Sequence, residues 1–113
     1  MLIEETVKSY LDDVLEDLDV GIYVETPNEL PGKFIVLQVI NRGKENQINE
    51  VTMEFRSYAP SKYEAALLDE AVREAMENIV VLPDISSHLG GGNDNPDTVL
   101  KRYRYRCYFN LYY

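Results

Sequence analysis

The chain is poor in the residues that build metal and redox sites, with one cysteine, one histidine and no tryptophan among 113 residues. A single cysteine cannot form a disulfide within the chain, and this usage is typical of proteins in a reducing compartment. One cysteine and one histidine also cannot complete a structural zinc site, which needs four ligands. The sequence therefore predicts no metal, no cofactor and a cytoplasmic location.

Positive charge is also scarce, since 11 lysines and arginines face 20 aspartates and glutamates, which gives a net charge of −9. Nucleic-acid binding rests on the neutralisation of phosphates, so this balance disfavours DNA or RNA as the main ligand. Long apolar runs are missing too, because none approaches the roughly 20 residues that span a bilayer. The acidic start of the sequence also differs from the basic start of a signal peptide.

Two segments have apolar residues at helical spacing. The first, Leu2 to Leu18, combines an apolar stripe with a strongly acidic outer face, which is typical of an amphipathic surface helix. The second begins at Ser61 and Glu64, which form a capping box, and is predicted to run to about Val80. Its predicted apolar stripe consists of Tyr63, Leu67, Leu68, Ala71, Val72, Ala75, Met76 and Ile79.

Further segments have the composition of β-strands and are separated by turn residues. Phe34 to Ile40 is almost continuously apolar, as expected of a strand buried on both faces, and Asn41 to Lys44 is predicted to turn the chain after it. Asn49 to Tyr58 alternates between apolar and polar residues, which indicates a half-buried strand. The other predicted strands are Val20 to Glu25, a short one near Ile85 to Leu89, and Thr98 to Tyr113.

These elements follow in the order α-β-β-β-α-β-β within a chain of ordinary domain size, residues 1–113. Each helix has one apolar stripe, so both can cover the same face of a sheet. The sequence thus predicts a single α+β domain. It is a two-layer sandwich with two helices on one face of a mainly antiparallel sheet of about four or five strands.

The closing strand alternates regularly between two faces. Arg102, Arg104 and Arg106 are predicted on one face, with Tyr108 and Tyr112 further along it. Such a strand has to be held by its own sheet or by a neighbouring subunit. The cysteine lies on the other, apolar face, where its thiol is expected to be buried and unreactive. That apolar face consists of Tyr103, Tyr105, Cys107, Phe109 and Leu111.

Three arginines in an acidic protein need an anionic partner, and the sequence leaves alternatives open. They can pair with Glu50 and Glu54 across neighbouring strands, or with acidic helix surface from another subunit. Stacking of nucleic-acid bases on the interleaved arginines and tyrosines is a further alternative, which the net negative charge makes weaker. Because arginine and tyrosine are residue types that anchor protein interfaces, we favour a protein partner.

A glycine-rich segment, Gly90 to Asn95, precedes the closing strand. Phosphate-binding loops open a helix with lysine, serine or threonine at set spacing, whereas this segment leads into Pro96 and a strand. Each glycine loses much backbone entropy on ordering, so the segment is predicted to be a flexible hairpin tip that a partner orders. The predicted interface residues are Arg102, Arg104, Arg106, Tyr108, Tyr112, Gly90, Gly91, Gly92, Asn93 and Asp94.

Candidate catalytic and metal-binding groups are weak. His88 stands beside Ser86 and Ser87, but a nucleophile–base pair needs a third group that orients the base, and none is evident. The acidic pairs Asp12-Asp13 and Glu16-Asp17 have helical spacing, which is typical of a solvated face, and the EF-hand pattern is absent. The sequence therefore predicts no catalytic, cofactor-binding or metal-binding residues and a protein that is not an enzyme.

The overall layout resembles the small tail-completion proteins of long-tailed bacteriophages and prophages, the tail-terminator or head–tail-joining group. The resemblance lies in three segments: LIEETVKSYLDDVLEDLDVGIYVETP, EFRSYAPSKYEAALLDEAVREAM and YRYRCYFNLYY. It implies a non-enzymatic virion component with a fold of a sheet and helices. Such a protein assembles in the bacterial host cytoplasm into a ring, commonly a hexamer, at the head–tail junction.

The implied partners are copies of the same chain and other phage tail or connector proteins, with DNA only as passing cargo. The alternative is a small monomeric or dimeric binding or regulatory module, and contact with nucleic acid through the arginine and tyrosine strand is one form that it can take. The uneven charge along the sequence, acidic at the start and basic near the end, agrees with head-to-tail association.

Overall fold

The fold consists of two helices packed on a five-stranded sheet. The computed structural model describes residues 3–18, 20–25, 32–45, 48–79, 85–94 and 103–113. The predicted α+β class is confirmed, with a short 3-10 helix added after the first helix. The elements are α1 (Ile3–Val14), the 3-10 helix (Glu16–Leu18), β1 (Gly21–Tyr23), β2 (Phe34–Glu45), β3 (Ile48–Ala59), α2 (Lys62–Glu77), β4 (Ser86–Asp94) and β5 (Tyr103–Tyr112).

The strands lie in the order β1-β2-β3-β5-β4. β1 runs parallel to β2, and the other neighbouring pairs are antiparallel, so the sheet is mainly antiparallel as predicted. β5 lies inside the sheet, between β3 and β4. The closing strand is therefore held on both sides by its own sheet, and it does not form the edge of the fold.

One face of the sheet and both helices share the main hydrophobic core. Phe55 of β3 and Phe109 of β5 meet edge to face there, with their ring centroids 6.0 Å apart. The Tyr10 hydroxyl of α1 donates a hydrogen bond to the carbonyl of Ala75 in α2, at 2.7 Å, and ties the helices together. The alternation predicted for β3 and β5 is confirmed at the buried residues of the apolar rows: Val51, Met53, Phe55, Cys107, Phe109 and Leu111. Tyr103 and Tyr105, also predicted on the apolar face of the closing strand, are exposed and half-buried, because the core does not extend to the start of β5.

The second helix begins as predicted at Ser61, but its buried stripe is narrower than the predicted apolar stripe. The Ser61 hydroxyl accepts a hydrogen bond from the Glu64 amide and also contacts the Glu64 carboxylate, both at 3.2 Å. Tyr63 and Leu67 belong to the predicted apolar stripe, yet they are 73% and 47% exposed. The apolar residues of α2 extend beyond the stripe that packs on the rest of the fold, and the buried part lies around Leu68 and Val72.

Two segments that were predicted to be turns or loops are strand. Asn41 to Lys44 continues β2 and pairs with β3, after a register shift between Val39 and Asn41. At this irregular point the Glu4 carboxylate of α1 lies 3.4 Å from the Val39 amide and 3.6 Å from the Arg42 guanidinium. The chain therefore reverses beyond Glu45, and not at the predicted position.

The predicted hairpin tip is also wrong, because Gly90 to Asp94 belongs to β4 and Gly91 to Asp94 pair with β5. A register shift lies between Leu89 and Gly91, and Gly91 has a φ of 139°, which favours glycine. The paired backbone of β5 supplies the hydrogen bonds that offset the entropy lost by these glycines. Asn95 lies outside the described residues.

We expect the core around Phe55 to dominate stability. Phe55→Ala should lower the free energy of unfolding by about 3–5 kcal/mol, because it removes a fully buried ring and leaves a cavity beside Phe109. Guanidinium denaturation followed by circular dichroism measures this loss. Tyr63→Ala is the matched control, and it should change the value by less than about 0.5 kcal/mol. Equal losses in both variants would contradict the assigned helix face.

Candidate interaction surfaces

The sheet face opposite the helices carries the predicted arginine row. Arg104 and Arg106 of β5 stand opposite Tyr58 and Arg56 of β3, so Arg56 joins the row. We call this surface, made of Arg56, Arg104, Arg106, Tyr108 and Tyr112, the arginine face. Arg102 lies outside the described residues. The alternation of Asn49 to Tyr58 predicts that Arg56 points outward, but its place beside Arg106 depends on the register between the two strands.

A buried carboxylate holds part of the arginine face together. Glu54 lies 3.1 Å from Arg56 Nε and 3.8 Å from a terminal nitrogen of Arg106. Like charges directly opposite each other on paired strands repel, and Glu54 offsets this repulsion between Arg56 and Arg106. One predicted alternative for the arginines is pairing with Glu54 within the chain. Arg106 pairs with Glu54 in this way.

Aromatic rings orient the other parts of the arginine face. The Arg104 guanidinium lies 5.8 Å from the centre of the Tyr58 ring, and its nitrogen donates to the Tyr58 hydroxyl at 3.4 Å. Tyr58 in turn stacks on Phe34, with ring centroids 4.5 Å apart. Arg106 lies 5.9 Å from the centre of the Tyr108 ring. These cation–π contacts hold the arginines close to the sheet surface.

The glycine-rich part of β4 adjoins this row. In register, Gly91 stands opposite Tyr108 and Asn93 opposite Arg106, and Gly92 and Asp94 also pair with β5. The structure therefore brings the two predicted parts of the interface together on neighbouring strands. β4 is an edge strand, so one row of its backbone groups faces away from the sheet.

The helical layer carries the opposite charge. Exposed carboxylates on α1 and the 3-10 helix include Glu5, Asp12 and Glu16, while Lys8 pairs with Asp12 at 2.7 Å. The two layers of the sandwich thus separate an acidic surface from the arginine face.

Among the described residues, no group of three or more His, Cys, Asp or Glu side chains could hold a metal ion. Within the same ranges, no helix is long and apolar enough to cross a membrane.

The serine and histidine weighed as a catalytic pair lie on β4. The Ser87 hydroxyl donates a hydrogen bond to the carbonyl of Met76, near the end of α2. His88 stands opposite Asn110 in the register with β5. The Ser87 hydroxyl thus serves the packing of α2 against β4.

A groove that the sequence did not predict lies between the two helices. Two adjoining hollows of about 330 and 440 Å³ share Leu18 and Ala71 and form one trough, which we call the inter-helix groove. A more polar cleft of about 700 Å³ continues from it past Lys33 and Glu64. The sequence indicates such a groove only through the apolar stripe of α2, which is wider than the part of the helix that the fold buries and includes Tyr63 and Leu67.

A buried carboxyl group of α2 lies next to the Cys107 thiol of β5. Asp69 of α2 is buried, and its carboxylate accepts a hydrogen bond from Arg73 Nε at 2.8 Å. Burial raises the pKa of Asp69, and Arg73 and the Cys107 thiol oppose that rise. Burial also raises the pKa of the Cys107 thiol, and the charge of Asp69 raises it further. The thiol is thus held in its neutral, weakly nucleophilic form.

No protein-family model matches the chain, and no curated protein has a matching sequence.

Asp69 should make stability depend on pH. Because the pKa of Asp69 is raised in the fold, the native state favours the protonated carboxyl group. The contribution of this group to the free energy of unfolding is full below its unfolded pKa of about 4, and it is lost as the pH rises through the folded pKa. Asp69→Asn mimics the neutral form and can still accept from Arg73. We expect it to raise the free energy of unfolding at pH 7, because the neutral amide avoids the cost of burying the Asp69 charge.

Denaturation of both proteins at several pH values from 3 to 8 measures the effect. The advantage of Asp69→Asn should shrink as the pH falls towards 4, because Asp69 then becomes neutral as well. A variant that is less stable than the natural chain at pH 7 would show that the pair with Arg73 outweighs the cost of burial.

Cys107 should be unreactive in the folded protein. We expect a disulfide-exchange reagent to titrate almost no thiol under native conditions and one thiol per chain in guanidinium, because the buried thiol is neutral and shielded. The absorbance of the released reagent measures this. Rapid reaction of the native protein would contradict the assigned burial.

Proposed function

We propose that this protein is a non-enzymatic structural component of the phage or prophage tail-completion type, which assembles into a ring at the head–tail junction. The observation that carries the proposal is the separation of charge across the two layers. The arginine face lies on one side of the molecule, and the acidic surface of α1 lies on the other. The two surfaces cannot meet within one chain, but they can meet between copies.

Opposite faces of opposite charge favour a head-to-tail contact over a two-fold one. A two-fold dimer through either face would bring like charges together, which costs free energy, whereas a head-to-tail contact pairs Arg104 and Arg106 with carboxylates such as Glu5 and Asp12. Repeated head-to-tail contacts close into a ring when the rotation between subunits allows it. A hexamer is the size that the tail-completion group implies.

Two groups that could serve nucleophilic chemistry have structural roles, which supports a non-enzymatic protein. The Ser87 hydroxyl is bound to the Met76 carbonyl, and the Cys107 thiol is buried with a raised pKa. In this proposal the partners are further copies of the chain and other tail or connector proteins, with DNA as passing cargo. Assembly takes place in the cytoplasm of the bacterial host.

Arg104→Glu should weaken assembly and leave the fold intact. The side chain lies on the surface over Tyr58, so reversing its charge places a carboxylate against the acidic surface of the next copy. We expect a shift towards monomer by at least tenfold in the association constant, measured by sedimentation across concentration and salt. Lys44→Glu, an equal charge change at an exposed site on β2, is the matched control.

A charge-swapped chain separates assembly from folding. Arg104→Glu combined with Glu5→Lys and Asp12→Lys should recover part of the association, because the new carboxylate at position 104 then faces lysines on the next copy. Unchanged circular dichroism is required of all three variants. A strict monomer that also fails to bind a tail-tube protein would contradict the proposal, and rings in electron micrographs would support it.

A binding module that contacts single-stranded nucleic acid is the second candidate. The observation that favours it is the position of Arg106 beside the Tyr108 ring on the sheet surface, since interleaved arginines and aromatic rings stack on bases. Fluorescence anisotropy with a labelled oligothymidine at low and high salt tests it. Salt-sensitive binding that Arg106→Ala and Tyr108→Ala both remove would favour this candidate over the ring.

A further inference from the structure

We infer that the inter-helix groove is a docking site for a basic amphipathic helix of a partner protein. This surface is distinct from the arginine face, because it lies between the 3-10 helix and α2 on the helical layer. The inference goes beyond ring assembly and does not depend on it.

Exposed apolar side chains converge on the groove. Leu18 is 37% exposed, and Tyr63 and Leu67 of α2 are 73% and 47% exposed beside it. Val14, which is 47% exposed, extends the row along the hollow that lies next to Tyr10 and Ala75. Soluble proteins seldom leave such side chains side by side in a concave surface unless another molecule covers them.

The rim of the groove selects the charge of the occupant. Asp17, Glu64 and Glu74 line the two hollows, with Lys33 as the basic side chain among the described lining residues. An apolar trough with a mainly acidic rim complements a segment that has apolar anchors and flanking lysines or arginines. A trough between two helices also suits a third helix, with anchors at i, i+3 or i+4, and i+7.

A second copy of this chain is a poor occupant. Its two helices carry exposed carboxylates on their outer surfaces, so the acidic rim would repel them. Its arginine face lies on β3 and β5, and such a sheet surface does not fit into a trough between helices. Charge and shape therefore point to a basic helix from a different protein.

A synthetic peptide of about 15 residues, with leucine at helical spacing and lysine elsewhere, is the probe. We expect it to bind the full chain in fluorescence anisotropy. A peptide with glutamate in place of lysine, and one with the leucines and lysines scrambled, should bind at least tenfold more weakly. Equal binding of all three peptides would overturn the proposal, because it would show neither charge nor shape selection.

Two serine variants locate the binding. Leu67→Ser should weaken binding of the lysine peptide at least tenfold, whereas Leu89→Ser, at an equally exposed leucine on β4 (46% exposed), should leave it unchanged. Tyr63→Ser gives a second test should the first variant fold poorly. Arg104→Glu should also leave binding unchanged, which separates this proposal from ring assembly.

Two outcomes would overturn the docking site. One is that Leu67→Ser and Tyr63→Ser, both in folded protein, leave the affinity for the lysine peptide unchanged. The other is self-association of the natural chain that Leu67→Ser abolishes while Arg104→Glu does not, since a second copy would then be the occupant of the groove.

Discussion

The pairing of β5 between β3 and β4 is the constraint on which the rest of the structure depends. It places Cys107, Phe109 and Leu111 under the helices and the arginines of the same strand on the other face. Removing β5 would separate β4 from the sheet and divide the core. Successive side chains of β5 point to opposite faces of the sheet. The same strand therefore supplies side chains to the hydrophobic core that stabilises the fold and to the charged surface proposed for assembly.

Charge follows the two layers of the fold. Exposed carboxylates such as Glu5, Asp12 and Glu16 lie on α1 and the 3-10 helix, and the arginine face lies on the side of the sheet opposite the helices. Glu54 relieves the repulsion between Arg56 and Arg106 at short range, yet the separation between the layers remains. The inter-helix groove adds a second, apolar surface to the acidic layer, so the two sides of the molecule offer contacts of different chemistry.

The sequence predicted the class and the faces of the strands because a period of two directly reports which side chains are buried, as at Val51, Met53 and Phe55. It misplaced Tyr63 and Leu67, because periodicity shows apolar rows without showing how much of a helix the sheet covers. It misread the glycines of β4, because strand formation there depends on hydrogen bonds to β5, a non-local partner. Arg56 joined the arginine face only through strand register.

The order of the strands has a consequence for how the chain folds. β4 precedes β5 in sequence, but among the described strands it pairs only with β5, so it has no place in the sheet until β5 is present. Until then its glycine-rich backbone stays unpaired and β3 has one vacant side. Completion of the sheet therefore requires the pairing of β3 with β5, two strands far apart in the sequence, and non-local pairings of this kind slow folding.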